Sequence, residues 1–432
     1  MRHRLNEAPP ESAEIDKIVG NGADARDSRR FPEFLRRFRN ACFLDNQNRH
    51  LTALERLIAQ YRKDGLVLFL GAGVSRGSGI PNWPGLTSEV LKKSGILPKE
   101  GELDRVQRAL PAFITQFELA GLRLGETEFT TTVYDSLYGG TECKPLISLL
   151  RKIPQPYKEQ KNWRGWRDVL KALETNETLK AVADLLIVGG RHPRCNPQVR
   201  AVVTFNADNL LEIYCQAKTS GRRLVKSVDR ASVGEHPDTI PVYHLHGFLD
   251  ARGENIFRPA RPPAQGRRWQ KITPELLPEL VFRESQYYET IANPTSFVNH
   301  MPQSFLRSLN ALFIGTSLDD LNMRRWLHDS YQERVLHRTK YLRELYEEEY
   351  SAAERDAKLE SRRHFWLRSE VETDKGGKLW RVPKEHVELI MSNLGVQVVW
   401  CKGYPDVCES LRNLHTRGRD PKFGRRIAQF PH

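Results

Sequence analysis

Asn206 and Asp208 stand two apart in Thr204-Phe-Asn-Ala-Asp208, and His244 and His246 two apart in His244-Leu-His-Gly247. An imidazole titrates at about 6.5, so His246 is a candidate base near neutrality, or else a core histidine at a strand end. An amide does not titrate, but the Asn206 side chain can orient water or bind hydroxyls. Upstream, Gly71-Ala-Gly-Val-Ser75 has two residues without side chains, where backbone N–H groups can approach a phosphate. Ser75 either caps the next helix or touches that phosphate, and one position satisfies both readings.

These residues need elements to hold them. Leu66-Val-Leu-Phe-Leu70 reads as a buried strand. Before it, Leu51, Leu54, Leu57, Ile58 and Tyr61 recur at helical spacing, and a helical pattern returns at 86–93. Strand, glycine turn and helix open a nucleotide-binding α/β unit. Arg76 occupies the place of the third glycine in the dehydrogenase fingerprint, so a hydride-transferring Rossmann enzyme fits poorly. Further short strands are predicted at 201–205, 240–245, 280–282, 311–315 and 396–400. Strands apolar on both faces indicate a largely parallel, Rossmann-like α/β sheet flanked by helices. Residues 101–190 carry leucines at helical spacing, which predicts a mostly helical insertion over about 95–195. A charged helical stretch at 332–363, with Glu347-Glu348-Glu349, faces solvent or a partner. On a strand His244 and His246 share a face, so His244 assists or packs. Asp208 orients the Asn206 loop or caps a helix beginning near Leu210.

The chain has 432 residues, room for a large core, and no apolar run of the ~18 to 20 residues that crosses a bilayer. Its first residues lack the apolar stretch of a signal peptide, so a cytoplasmic protein is expected. The six cysteines are scattered and form no CxxC pair, which argues against a disulfide framework or a zinc ribbon. The net charge is +13, concentrated in 251–271 and 416–432. Those segments are solvated loops or contacts to anionic partners such as nucleic acid. Residues 1–48 read as an appended arm, 49–415 as the domain and 416–432 as a basic tail.

Four motifs occur in order: Gly71-Ala-Gly-Val-Ser-Arg-Gly-Ser-Gly-Ile-Pro-Asn-Trp83, Thr204–Asp208, His244–Gly247 and Gly315-Thr-Ser-Leu-Asp-Asp-Leu-Asn322. Together they resemble the sirtuin superfamily, more closely its bacterial SIR2-like branch than the protein deacylases, over about residues 50–415. The resemblance implies NAD binding by Gly71, Ala72, Gly73 and Ser75, with Gly315, Thr316 and Ser317 on the adenosine side. It assigns the chemistry to Asn206 and His246, with Asp208 and His244 in support. Pro81 and Trp83 fall near the implied nicotinamide pocket, where Trp83 stacks, gates or packs. Leu280–Tyr288 is similar to a segment of the same domains. Asp319-Asp320 reads as a loop or helix cap, and no metal ligand is expected.

The departures narrow the activity. Deacylases carry a four-cysteine zinc module, whereas no cysteine lies between 215 and 401, so no structural zinc is expected. Ile80-Pro-Asn-Trp83 also departs from the deacylase pattern. The resemblance therefore implies an NAD hydrolase, the NAD-depleting effector of a bacterial antiphage system. With only a short tail after 415, regulation is expected in trans, through self-assembly and a separately encoded partner. A HerA-type hexameric ATPase is the first candidate and a short Argonaute the second. ADP-ribosyl transfer, deacylation, or a nucleic-acid module with structural NAD are the alternatives.

Overall fold

The computed structural model describes residues 52–96, 102–153, 163–190, 192–228, 238–259, 269–271, 280–293, 295–346, 350–373 and 379–418. The arm at 1–48, the tail beyond 418, the basic stretch 260–268 and Glu347-Glu348-Glu349 lie outside them. The chain divides into two units, Met1–Thr52 with Gly424–His432 and Ala53–Phe423; every element below belongs to the second.

Helix α1 (Ala53–Lys63) buries Leu57, Ile58 and Tyr61. Strand β1 (Leu66–Leu70) is apolar throughout because helices cover both faces: Leu66, Leu68 and Leu70 enter one core, Val67 and Phe69 the other. Helices α2 (Trp83–Lys93), α3 (Glu102–Ala109), α4 (Phe113–Leu124), α5 (Glu126–Tyr138), α6 (Lys144–Lys152), α7 (Trp163–Leu173) and α8 (Glu177–Leu186) follow. A short hairpin of β2 (Ile187–Val188) and β3 (Arg194–Cys195) ends this helical layer. Then come β4 (Val199–Thr204), α9 (Leu210–Lys218), β5 (Val225–Val228), β6 (Ile240–His244) and a hairpin of β7 (Phe257–Pro259) and β8 (Trp269–Lys271). Helices α10 (Glu284–Ala292) and α11 (Phe297–Ser308) lead to β9 (Ala311–Ile314). Helix α12 (Leu321–Tyr346) packs on α13 (Tyr350–Glu360) through Tyr331, Val335, Leu342, Ala353 and Ala357. The described chain closes with β10 (His364–Ser369), hairpin β11 (Val371–Thr373) and β12 (Leu379–Arg381), α14 (Lys384–Ser392), β13 (Val396–Cys401) and α15 (Tyr404–Arg417).

Seven strands form one parallel sheet in the order β13-β10-β9-β1-β4-β6-β5. This is the α/β, Rossmann-like sheet that the apolar runs predict. From β1 the chain builds one side through β4, β6 and β5, and later the other through β9, β10 and β13. A ligand crevice is therefore expected outside the C-terminal ends of the central strands. Register fixes what meets there. Leu70 pairs with both Thr204 and Ile314, and Thr204 pairs with His244. The four motifs all leave the sheet from this one rung.

The structure corrects several expectations. Leu280-Val-Phe282 is buried but joins no strand, since an apolar run reads alike whether it pairs or only fills a core. Two sheet strands, β5 and β10, were not anticipated. The first, Val-Lys-Ser-Val, is a short edge strand of mixed polarity, and the second follows directly on the charged helices. The charged stretch at 332–363 is helical where described, shared between α12, which begins at Leu321, and α13.

Candidate active site

The turn after β1 leads to the helix predicted over 86–93, but not directly. It folds as two 3-10 turns, Ala72–Val74 and Arg76–Ser78, and α2 begins only at Trp83, where Asn82 accepts the Gly85 N–H. Pro81 lies in the connection ahead of that cap. Ser75 is accordingly not the side-chain cap of a helix. The Gly71 N–H donates to Ile314 O at 3.0 Å, the Gly73 N–H to Gly315 O at 2.9 Å, and the Val74 and Ser75 N–H groups to Gly71 and Ala72 carbonyls. A Cβ on Gly71 would lie 2.6 Å from Gly315 O, and one on Gly73 2.8 Å from Gly315 Cα. The close approach of the β9 turn thus gives both glycines a reason internal to the protein. Ala72 is half-buried between them. On the facing segment Trp366 Nε1 donates to Thr316 O (3.0 Å), Leu318 N–H donates to Thr316 Oγ1 (3.3 Å), and Ser317 is exposed.

Asn206 is held from three directions. Its own N–H donates to Thr204 Oγ1 (3.0 Å), and its Nδ2 donates to Gly71 O (3.1 Å) and Ser75 Oγ (3.3 Å). Gly71 O can only accept, so the amide orientation is determined and Oδ1 points elsewhere. Among the described residues that buried Oδ1 has no hydrogen-bond partner. The Ser75 hydroxyl in turn donates to Asp208 Oδ1 at 2.9 Å, which also accepts the Leu210 N–H at 3.2 Å and so opens α9. Burial pushes the Asp208 carboxyl up to about 6, against the opposing pull of those two donors.

His246 and His244 take different partners. Strand β6 ends at His244, and His246 lies in the turn that follows. His246 lies edge-on to Phe205 (5.3 Å between ring centroids), Trp83 (5.9 Å) and Tyr287 (6.4 Å), and its main-chain oxygen accepts the Val281 N–H. Trp83 also packs edge-on against Phe282 and Phe117. Burial holds the His246 imidazole below its usual range, with the Asp320 carboxylate opposing, and Nδ1 has no partner among the described residues. A neutral, buried, unsatisfied ring nitrogen can accept a proton. Asp320 accepts the Met323 N–H, capping α12, and takes the Tyr287 hydroxyl on its other oxygen. His244 instead meets Glu212 Oε1 (2.7 Å) and the Asn206 main-chain oxygen (3.2 Å), and stacks near Phe248.

The rung of register therefore gathers the Gly71–Ser75 turn, Asn206, Asp208 and the Gly315-Thr316 segment, with His246 and Trp83 in an aromatic surround. Residues 200–373 match the family model of the SIR2-like domain. The SIR2-like segment takes in Asn206, Asp208, His244, His246, Gly315, Thr316 and Ser317, while Gly71, Ala72, Gly73, Ser75, Pro81 and Trp83 precede it. No curated protein matches the chain. Among the described residues no group of His, Cys, Asp or Glu could hold a metal ion, and no helix is long and apolar enough to cross a membrane. Within the SIR2-like segment the sequence reading missed Glu212, and it singled out Leu280–Tyr288 without giving Phe282 or Tyr287 a place in the site. Glu212 did carry a signal: it is an acid on a helix whose neighbours, Leu211, Ile213, Tyr214 and Cys215, are all buried.

Proposed function

We propose that the chain is an NAD glycohydrolase, in which water replaces nicotinamide at the anomeric carbon to give nicotinamide, ADP-ribose and a proton. The observation that carries this reading is the pair of buried polar side-chain atoms with no hydrogen-bond partner among the described residues, Asn206 Oδ1 and His246 Nδ1. Buried polar atoms are normally paired, and a ligand with hydroxyls beside an attacking water would satisfy both. The SIR2-like match supplies the ligand class. Nicotinamide leaves as a neutral molecule from a cationic ring, so little acid assistance is needed, and the useful groups are a base and an orienting dipole. His246 receives the proton of a ribose hydroxyl or of water, and Asn206, its amide fixed by Gly71 and Ser75, orients the oxygen that loses it.

By the same resemblance, the reading extends to an NAD-depleting effector of antiphage defence. Its restraint would come from self-assembly and a partner, a HerA-type ATPase before a short Argonaute. The test is nicotinamide release by the purified protein, alone and with each partner, beside Asn206→Ala and His246→Ala. Each substitution is expected to lower release by roughly 100-fold or more. Because the base must be neutral and burial lowers its pKa, activity should hold at pH 6.5 and fall only in more acidic buffer. Release that survives both substitutions would sink the assignment, and ADP-ribose attached to protein instead of free would replace hydrolysis with transfer.

A further inference from the structure

Behind Asn206 lies a buried polar chain that the proposed chemistry does not use. His244 is fully buried, with Nε2 2.7 Å from Glu212 Oε1 and Nδ1 3.2 Å from the Asn206 carbonyl oxygen. The same Glu212 oxygen accepts the Ser227 hydroxyl at 2.7 Å. A neutral imidazole has one N–H and one lone pair, yet both ring nitrogens here face oxygens, and the carbonyl can only accept. We propose that His244 is a standing imidazolium paired with the Glu212 carboxylate, and that Glu212, acting through it, is a positioning residue for Asn206. The inference rests on the NAD-hydrolase reading for its catalytic consequence alone.

The competing arrangement, a protonated Glu212 donating to a neutral ring, puts the proton on the weaker base, since a carboxylate titrates about two units below an imidazole. The surroundings favour the ion pair. Burial opposes the charge on His244, but Glu212 by charge and hydrogen bond, then the Asn206 carbonyl and Asp208, outweigh it and move the ring upward. The groups that face it are Glu212 on α9, Asp208 and the Asn206 carbonyl after β4, and the Phe248 ring after β6. Asn206 is thereby gripped at both ends, its carbonyl by His244 and its amide nitrogen by Gly71 O and Ser75 Oγ. What remains free is the Oδ1 that must meet the substrate.

The full-length protein, labelled with nitrogen-15 at histidine, would be studied by NMR from pH 6 to 8, with His244→Gln identifying the ring. Two protonated nitrogens on His244 throughout are expected, with one lost in Glu212→Gln. In nicotinamide release Glu212→Gln should lower kcat by roughly 10- to 100-fold with KM for NAD changed less than about threefold, and Glu212→Asp should recover part of kcat. If Glu212→Gln does not fold, Ser227→Ala, which removes one donor to the carboxylate, should lower kcat severalfold with the same KM pattern. A singly protonated His244 at pH 7, or variants that lose the second N–H with kcat intact, would overturn the proposal. If the wild type releases no nicotinamide in any setting, the functional reading fails, while the ring spectrum still decides the ion pair.

Discussion

At the scale of single residues, Asp208 shows how the site sets its hydrogen bonds against its solvation. Its carboxyl is pushed from 3.8 to about 6 by burial. The folded state thus holds the proton more tightly than the unfolded chain does. The stabilisation this gives is complete below pH 3.8 and is lost as the pH rises through 6, so above that the buried carboxylate costs about 3 kcal/mol. Both donors, Ser75 Oγ and Leu210 N–H, reach Oδ1, which an asparagine would retain. Asp208→Asn should therefore raise the melting temperature by several degrees at pH 8, with little gain at pH 4. An equal effect at both values would show that the charge is not the burden. Asn206, His246 and Ser75 were legible because each stands in a short motif of fixed spacing. Glu212 showed only as an acid among apolar neighbours and Tyr287 only as part of Leu280–Tyr288, because their partners, His244 and Asp320, come from other elements and no spacing in the chain announces those contacts.

At the scale of elements, the turn after β1 and the turn after β9 are two halves of one packed unit. Gly315 has φ +66°, and a Cβ there would lie 2.8 Å from Val74 N, while a Cβ on Gly73 would meet the Gly315 backbone. Backbone atoms cannot swing aside as the end of a side chain can. Gly73→Ala and Gly315→Ala are each expected to destabilise the protein by roughly 2 to 3 kcal/mol in the absence of NAD, through overpacking and, at Gly315, added strain. Gly95, at φ +72° with nothing within 4 Å of a Cβ, supplies the comparison: Gly95→Ala carries strain alone and should cost about 1 kcal/mol. Chemical denaturation without ligand measures all three. Equal losses at the three positions would mean that contact between the turns contributes nothing. The sequence announced glycines after a strand but could not distinguish room for a ligand from room for another turn. The helical pattern at 86–93 did mark α2, but not the two tight turns the chain makes before Asn82 and Pro84 open it.

At the scale of the whole molecule, the family match and the folding unit do not coincide. Residues 200–373 contribute β4, β5, β6, β9 and β10 to the sheet, but β1 lies between β4 and β9 and pairs with both. Without it the sheet falls into two pieces whose inner edges carry unpaired backbone groups, and the helices from 83 to 186 that cover one face are also gone. That the sheet is parallel was legible from strands apolar on both faces. Its order was not, since β1 finds β9 more than two hundred residues away, and local pattern carries no record of such a pairing. The isolated 200–373 segment is accordingly expected to bind a hydrophobic dye and to unfold without a cooperative transition. The unit Ala53–Phe423 should show one sharp transition in the same denaturant series. A cooperative transition for 200–373 would show that β4 and β9 can close the gap by themselves, and that β1, with the Gly71–Ser75 turn it carries, is an addition to a sheet already complete.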